Sequence, residues 1–265
     1  MKAGKLGILV AAMMSLAFGA GEAAAAQCGS TSAGYEAWKQ SFAQEAQSRG
    51  IGQRGISALM GAHYNQPTIN ADRGMKSFHL SLDAFLAKRG GSIIVSRGRK
   101  LKEANASLFA SIKQRYGVPP GPLLAIWGME TGFGAVKGNQ NMISAVSTLA
   151  YDCRRPELFN EQLYAALQLI DRGTFSSGTI SSMHGEVGQT QFMPKTVLEY
   201  GVGNLESSSG ALMSTANYLR AHGWQPGAGY QPGEPNFAAI QAWNAASVYQ
   251  QAIALIGQKI DGGDY

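Results

Sequence analysis

Apolar positions recur at helical spacing along most of this chain. Phe159, Leu163, Ala166, Leu167 and Ile170 form one stripe, Leu212, Ala216 and Leu219 a second, and Tyr249, Ala252, Ile253, Ile256 and Ile260 a third. Each reads as the buried face of a helix. A long helix through residues 97–116 would carry Leu101, Leu108 and Ile112 inward and stop at Gly117, with Pro119 and Pro120 beyond. The segment VPPGP at 118–122 is the strongest internal punctuation, and Pro122 suits the first turn of the next helix. Strand signals are confined to short runs such as Ser92-Ile93-Ile94-Val95. Gly- or Pro-rich loops fall at 132–141, 175–188 and 225–235, where close backbone approach to a ligand favours glycine. The pattern predicts a mainly helical protein with at most a small β element.

Composition changes the picture first at the N-terminus. Lys2 and Lys5 precede the apolar run LGILVAAMMSLAFGAG, and Ala24-Ala25-Ala26 fits an A-x-A cleavage site, so residues 1–26 read as a secretory signal peptide. A lipoprotein anchored at Cys28 would want a small residue where Gln27 stands. The apolar run is too short for a comfortable membrane span and no later stretch is longer, so no membrane insertion of the mature form is expected. Cys28 and Cys153 are an even pair in an exported chain. That predicts one disulfide tying the new N-terminus to the middle of the chain, the alternative being two unpaired thiols.

Charge divides the mature chain. Residues 27–117 hold 13 Lys/Arg against 5 Asp/Glu, and residues 118–265 hold 7 against 11. A basic N-terminal helical lobe over 27–117 would suit an anionic polymer, with 118–265 as a second unit packed against it. Export makes nucleic acid the weakest candidate and leaves an acidic cell wall or a membrane surface. The plainer alternative is a set of solvated helix faces.

Several chemistries lack support. His63, His79, His184 and His222 form no HExxH or comparable cluster, the cysteines show no CxxC, and GxSxG, P-loop and GxGxxG fingerprints are absent. No metal or cofactor is expected. Acid–base work on a sugar bond needs only one carboxyl group kept protonated near neutral pH beside a groove. The stretch IWGMETGFG at 126–134 offers Glu130 among Ile126, Trp127, Met129 and Phe133, near the negative end of the helix that starts around Pro122. Desolvation and the helix dipole both raise its pKa. An acid at a helix end is also an ordinary structural feature, and both readings stand on this stretch alone. The stretch SSMHGEVGQTQFMP at 181–194 adds Gln189 and Gln191, able to hydrogen-bond sugar hydroxyls or an acetamide. Met193 reads as core and His184 as a loop residue.

The pair IWGMETGFG and SSMHGEVGQTQFMP, in order with STLAYDCRRPELF, ANYLRAHGW and FAAIQAWNAASVYQQAIALIGQKI, resembles the lytic murein transglycosylase B family of bacterial cell-wall enzymes. The resemblance covers most of the mature chain and is densest from Tyr116 onward. It implies a lysozyme-like α+β catalytic core with an added helical lobe, a soluble periplasmic location, and peptidoglycan glycan strands as the partner. It also implies cleavage of the β-1,4 bond between N-acetylmuramic acid and N-acetylglucosamine, leaving a 1,6-anhydromuramyl end. Glu130 matches the single acid/base, Ser182 and Gln191 match residues lining the saccharide site, and Arg154 and Arg155 match a basic pair placed for the anionic lactyl-peptide side. For those arginines surface salt bridging is an equal alternative. Asn244 matches an Asn preceded in the family by Tyr, where this chain has Trp243; an indole stacks on a sugar face but lacks the phenol's hydrogen bond. Some relatives carry an Asp-rich calcium loop where GVGNLESSSG offers only Glu206, so no calcium site is expected there. The chain also departs from the family at Glu186, which reads as a solvated or salt-bridged side chain. The alternatives are a muramidase using Glu130 with Glu186, and a non-catalytic peptidoglycan-binding scaffold.

Overall fold

Helices build almost the whole of the computed structural model, which describes residues 27–74 and 80–262. The expected signal peptide, and His79, lie outside the described residues. In chain order come α1 (Tyr35–Ser48), α2 (Gln53–Met60), α3 (Gln66–Gly74), α4 (Leu82–Arg89), α5 (Gly91–Ala104), α6 (Ala106–Tyr116) and α7 (Pro120–Thr131). They are followed by α8 (Met142–Tyr151), α9 (Pro156–Asp171), α10 (Pro194–Tyr200), α11 (Ser208–Ala221), α12 (Phe237–Trp243) and α13 (Ser247–Asp261). The strands β1 (Gln140–Asn141) and β2 (Ile180–Ser181) form one antiparallel pair, Gln140 opposite Ser181.

The three apolar stripes fall on α9, α11 and α13, and every residue named in them is buried. Two hydrophobic cores result. One joins α1 and α2 to α8 and α9, and the other joins α4 to α7 with α11, α12 and α13. Residues from 27–117 enter both cores. Tyr218 and Trp243 pack against both, so they mark the seam between them.

The seam is positioned by α7, whose Leu123, Leu124, Ala125 and Ile126 are fully enclosed on all sides. Pro119 precedes this helix, Pro120 starts it, and Gly132 ends it in the left-handed region, at φ 58°. At its start α7 crosses α13 closely: a Cβ on Gly121 would stand 2.3 Å from the Gly257 carbonyl oxygen. Asp261 accepts a hydrogen bond from the Gly121 N–H at 2.8 Å, capping the same end. Glu130 lies nine residues after Gly121, and Tyr249 eight before Gly257. At about 1.5 Å rise per residue, an antiparallel crossing held at the glycines brings Tyr249 level with Glu130.

Two local expectations are corrected. The long helix over 97–116 is broken at Asn105 (φ −119°, ψ 32°) into α5 and α6, where the Asn105 side-chain amide shares the Leu101 carbonyl with its own backbone N–H, at 2.9 and 3.0 Å. The run Ser92-Ile93-Ile94-Val95 lies inside α5 and not in a strand. Ile94 is buried there against α7, where a Cβ on Gly128 would meet its Cγ2 at 2.5 Å, and Ile93 faces outward. Packing overrides the β preference of branched residues. The expected disulfide joins Cys28 to Cys153, and Gly29 donates to the Tyr151 carbonyl at 2.9 Å beside it.

Candidate active site

Glu130 occupies the last turn of α7 and opens onto a cavity of about 170 Å³. Glu186, Gln191, Phe192, Met193, Thr196, Tyr218, Trp243 and Asn244 line the rest. Glu130 Oε1 accepts from the Tyr249 hydroxyl at 2.6 Å and from the Trp243 indole N–H at 3.3 Å. Among the described residues no donor reaches Oε2, which leaves that oxygen for a ligand.

Burial pushes the Glu130 carboxyl up to about 7. The Tyr249 hydrogen bond pulls the other way, the negative charge of Glu186 adds to the rise, and the Trp243 hydrogen bond and the Arg89 guanidinium lower it again. Desolvation wins. Tyr249 itself is held well above the usual phenol range by burial and by Glu130, so it stays a donor. A carboxyl group with a pKa near neutrality can give a proton and take one back within a single reaction cycle.

Since the Tyr249 hydroxyl favours the anion, Tyr249→Phe should raise the Glu130 pKa by about one unit. Carboxyl NMR of carbon-13-labelled glutamate reads this directly. A pKa that stays in place or falls would remove Tyr249 from the electrostatics of the site.

The aromatic wall is a stack across the seam. The Trp243 ring lies 5.3 Å from Phe192 and edge-on to Tyr218 at 5.2 Å, and Tyr218 donates to the Ala242 carbonyl at 2.7 Å. Trp243 therefore has more than a stacking role, because its N–H supplies a hydrogen bond to the acid. The phenol comes from Tyr249, six residues further on. The helical stripe reads Tyr249 as core, and it is buried, but a buried Tyr hydroxyl also needs a partner. That requirement was the signal available in the sequence. Asn244 shows the cavity one edge while its Oδ1 accepts from the Ala246 N–H at 2.9 Å, shaping the turn into α13.

The 181–194 loop divides its tasks differently from the expectation. Gln191 lines the cavity, held at φ 55° with its Nε2 donating to the Gly188 carbonyl at 2.8 Å. Gln189 is turned away: its Nε2 donates to the Glu206 carbonyl at 2.6 Å, and its own carbonyl accepts from Thr131 Oγ1 at 2.6 Å. The glycines serve packing and not ligand approach. A Cβ on Gly185 (φ 90°) would meet Val146 Cγ2 at 2.2 Å, and one on Gly188 (φ 76°) would meet Leu205 Cβ at 2.6 Å. Glu206 pairs with Lys137 across the neighbouring loops.

Ser182 does not offer its hydroxyl to the cavity; it donates to Glu186 Oε2 at 2.8 Å. Glu186 makes no salt bridge among the described residues; it is part-buried on the cavity wall, with Ser182 as its hydrogen-bond partner. Arg154 and Arg155 are not among the cavity's lining residues. Both guanidinium groups bind the carboxylate of buried Asp72 on α3, and His184 Nε2 stands 3.9 Å from the same carboxylate. Asp72 lies far from the arginines in the chain, so no local pattern in the sequence pairs it with them.

The membrane-bound lytic murein transglycosylase B of Escherichia coli (strain K12) is 35% identical over 139 residues, covering 46% of this chain and 38% of that protein. The chain thus spans well under half the length of that relative. SltB3 from Pseudomonas aeruginosa, in complex with NAG-anhNAM-pentapeptide, matches at 28% identity with a TM-score of 0.79, over 86% of this chain and 80% of its own. Escherichia coli Slt35, in complex with bulgecin A, matches at 23% identity with a TM-score of 0.73, over 84% and 92%, a likeness of fold. Residues 34–234 match the transglycosylase SLT domain. With most of its length covered by that match and Glu130 seated at the seam, this chain belongs to the transglycosylase SLT domain family.

Proposed function

We propose that this protein is a periplasmic lytic transglycosylase that cleaves the MurNAc-β-1,4-GlcNAc bond of peptidoglycan with Glu130 as its single acid/base. The observation that carries the reading is Glu130 on the cavity wall, its Oε1 held by Tyr249 and Trp243 and its carboxyl pushed up by burial to about 7. The fragment bound to the related SltB3 gives the substrate class.

In the first step the Glu130 proton passes to the glycosidic oxygen as the C1–O bond breaks, and GlcNAc leaves with a hydroxyl at C4. In the second, the Glu130 carboxylate removes the proton from the muramyl C6 hydroxyl while that oxygen bonds to C1, restoring the acid. No water is consumed. The nucleophile belongs to the same ring, so its effective concentration is high and a second protein carboxylate is not required. Tyr249 and Trp243 steady the anion between the steps. Gln191 and Asn244 supply polar groups for sugar hydroxyls, and Trp243 and Phe192 the apolar surface, while Arg154 and Arg155, paired with Asp72 and not lining the cavity, take no part in the step. None of the described helices is long and apolar enough to cross a membrane.

One observation favours a second reading. Glu186 lines the same cavity as Glu130, so a muramidase using both carboxylates has the groups it needs. Digestion of purified sacculi, with the muramyl ends determined by mass spectrometry, separates the readings. Anhydro ends are expected; reducing ends would establish the muramidase, and absence of cleavage would leave a binding scaffold.

A further inference from the structure

Glu186 is the one carboxylate of the cavity that the proposed mechanism does not use. Its setting is built with care. Ser182 Oγ donates to Glu186 Oε2 at 2.8 Å and accepts from the backbone N–H groups of His184 and Glu186, each at 3.2 Å. A hydroxyl has one proton and two lone pairs, so Ser182 has nothing left to offer a ligand. The Ser182 N–H also donates to the Glu186 carbonyl at 2.8 Å, closing the turn, and Gly185 is pressed onto Val146 within it. Glu186 Oε1 has no donor among the described residues. A part-buried carboxylate oxygen on a cavity wall without a partner is an acceptor kept for something that binds there.

We propose that Glu186 accepts a hydrogen bond from an amide N–H or hydroxyl of the sugar bound beside Glu130, while the Ser182 hydroxyl orients that carboxylate and does not itself contact the sugar. This rests on the transglycosylase reading. Glu186 is then a specificity residue, presenting an anion where a serine hydroxyl would otherwise stand.

The charge has a second consequence. The charged or titratable groups that face Glu130 are Tyr249 from α13, Arg89 from α4 and Glu186 from the loop. Of these, Glu186 is the one whose charge favours the protonated form of Glu130. Asp72 pairs with Arg154 and Arg155 and stands 3.9 Å from His184 Nε2, and none of the four lines the cavity.

The test is the dependence of kcat and KM on pH for sacculus digestion by wild type, Glu186→Gln, Glu186→Asp and Ser182→Ala, each checked for folding by thermal melting. In Glu186→Gln, KM should rise by about tenfold, as expected for a lost charge-assisted hydrogen bond, with kcat below neutrality within about threefold of wild type. Its alkaline limb should move to lower pH by at least about half a unit, and the ends should remain anhydro. Glu186→Asp keeps the charge but shortens the reach, so it should raise KM while leaving the limb in place. This variant also serves if the Gln form fails to fold. Ser182→Ala should raise KM less than Glu186→Gln does. An unchanged KM and pH profile in folded Glu186→Gln would overturn the proposal, as would a larger loss in Ser182→Ala, which would put the hydroxyl on the sugar. A collapse of kcat with KM retained would make Glu186 a reacting group, also against it. If wild type leaves no anhydro ends, the transglycosylase reading itself fails, whatever the Glu186 variants do.

Discussion

Glu130→Gln should reduce cleavage of sacculi by at least about a thousandfold, toward the upper end of what a single general acid–base contributes, because one group serves both proton transfers. The same change should make the stability of the fold less sensitive to rising pH. Glu130 is raised from 4.5 to about 7 in the folded protein. A carboxyl group raised by folding gives its full stability below the unfolded pKa and loses it as pH rises through the folded one. The loss accumulates between about pH 4.5 and 7 and amounts to about 3 kcal/mol when complete. Gln carries no such term and still offers an oxygen to Tyr249 and Trp243. Urea unfolding at pH 5 and pH 8 measures it, with the gap between the two pH values expected to be smaller in the variant. A Glu130→Gln protein that still cleaves would remove Glu130 from the mechanism; one with the wild-type pH dependence of stability would contradict the raised pKa.

Breaking the disulfide should have the largest effect on the fold. Cys28 and Cys153 are 125 residues apart, and closing a loop of that length removes about 5 kcal/mol of chain entropy from the unfolded state. The bridge also anchors the N-terminal segment where Gly29 and Gly34 press on the Tyr151 hydroxyl, next to α8. For a chain of this size the paired Ser variant should melt lower by about 10 °C or more. Scanning calorimetry of the oxidised protein and of Cys28→Ser/Cys153→Ser reads the difference. A change within about 2 °C would show that the bridge does not constrain the loop it closes.

What was legible in the sequence was local. The VPPGP punctuation and the three apolar stripes placed the start of α7 and the helices α9, α11 and α13, because each depends on a residue's own backbone limits or on one helix face. The acid was legible too, since Glu130 stands among apolar neighbours near a helix end. What was hidden depended on contacts between distant segments. The break at Asn105 falls inside a continuous periodic pattern, at a residue whose side chain also binds the preceding turn. Tyr249 meets Glu130 only because Gly121 and Gly257 let α7 and α13 cross closely, and Asp72 meets Arg154 and Arg155 from a different helix. The loop glycines at 185 and 188 advertised ligand approach but answer to Val146 and Leu205. Glu186 was visible as a departure from the family, yet its hydrogen bond with Ser182 depends on the turn between them.

In the proposed mechanism the attacking oxygen comes from the sugar and not from water, and digestion of sacculi in water labelled with heavy oxygen reads its source. An intramolecular attack by the muramyl C6 hydroxyl predicts anhydro ends with no label at C1. Heavy oxygen at C1, on reducing muramyl ends, would contradict the account and make the protein a hydrolase.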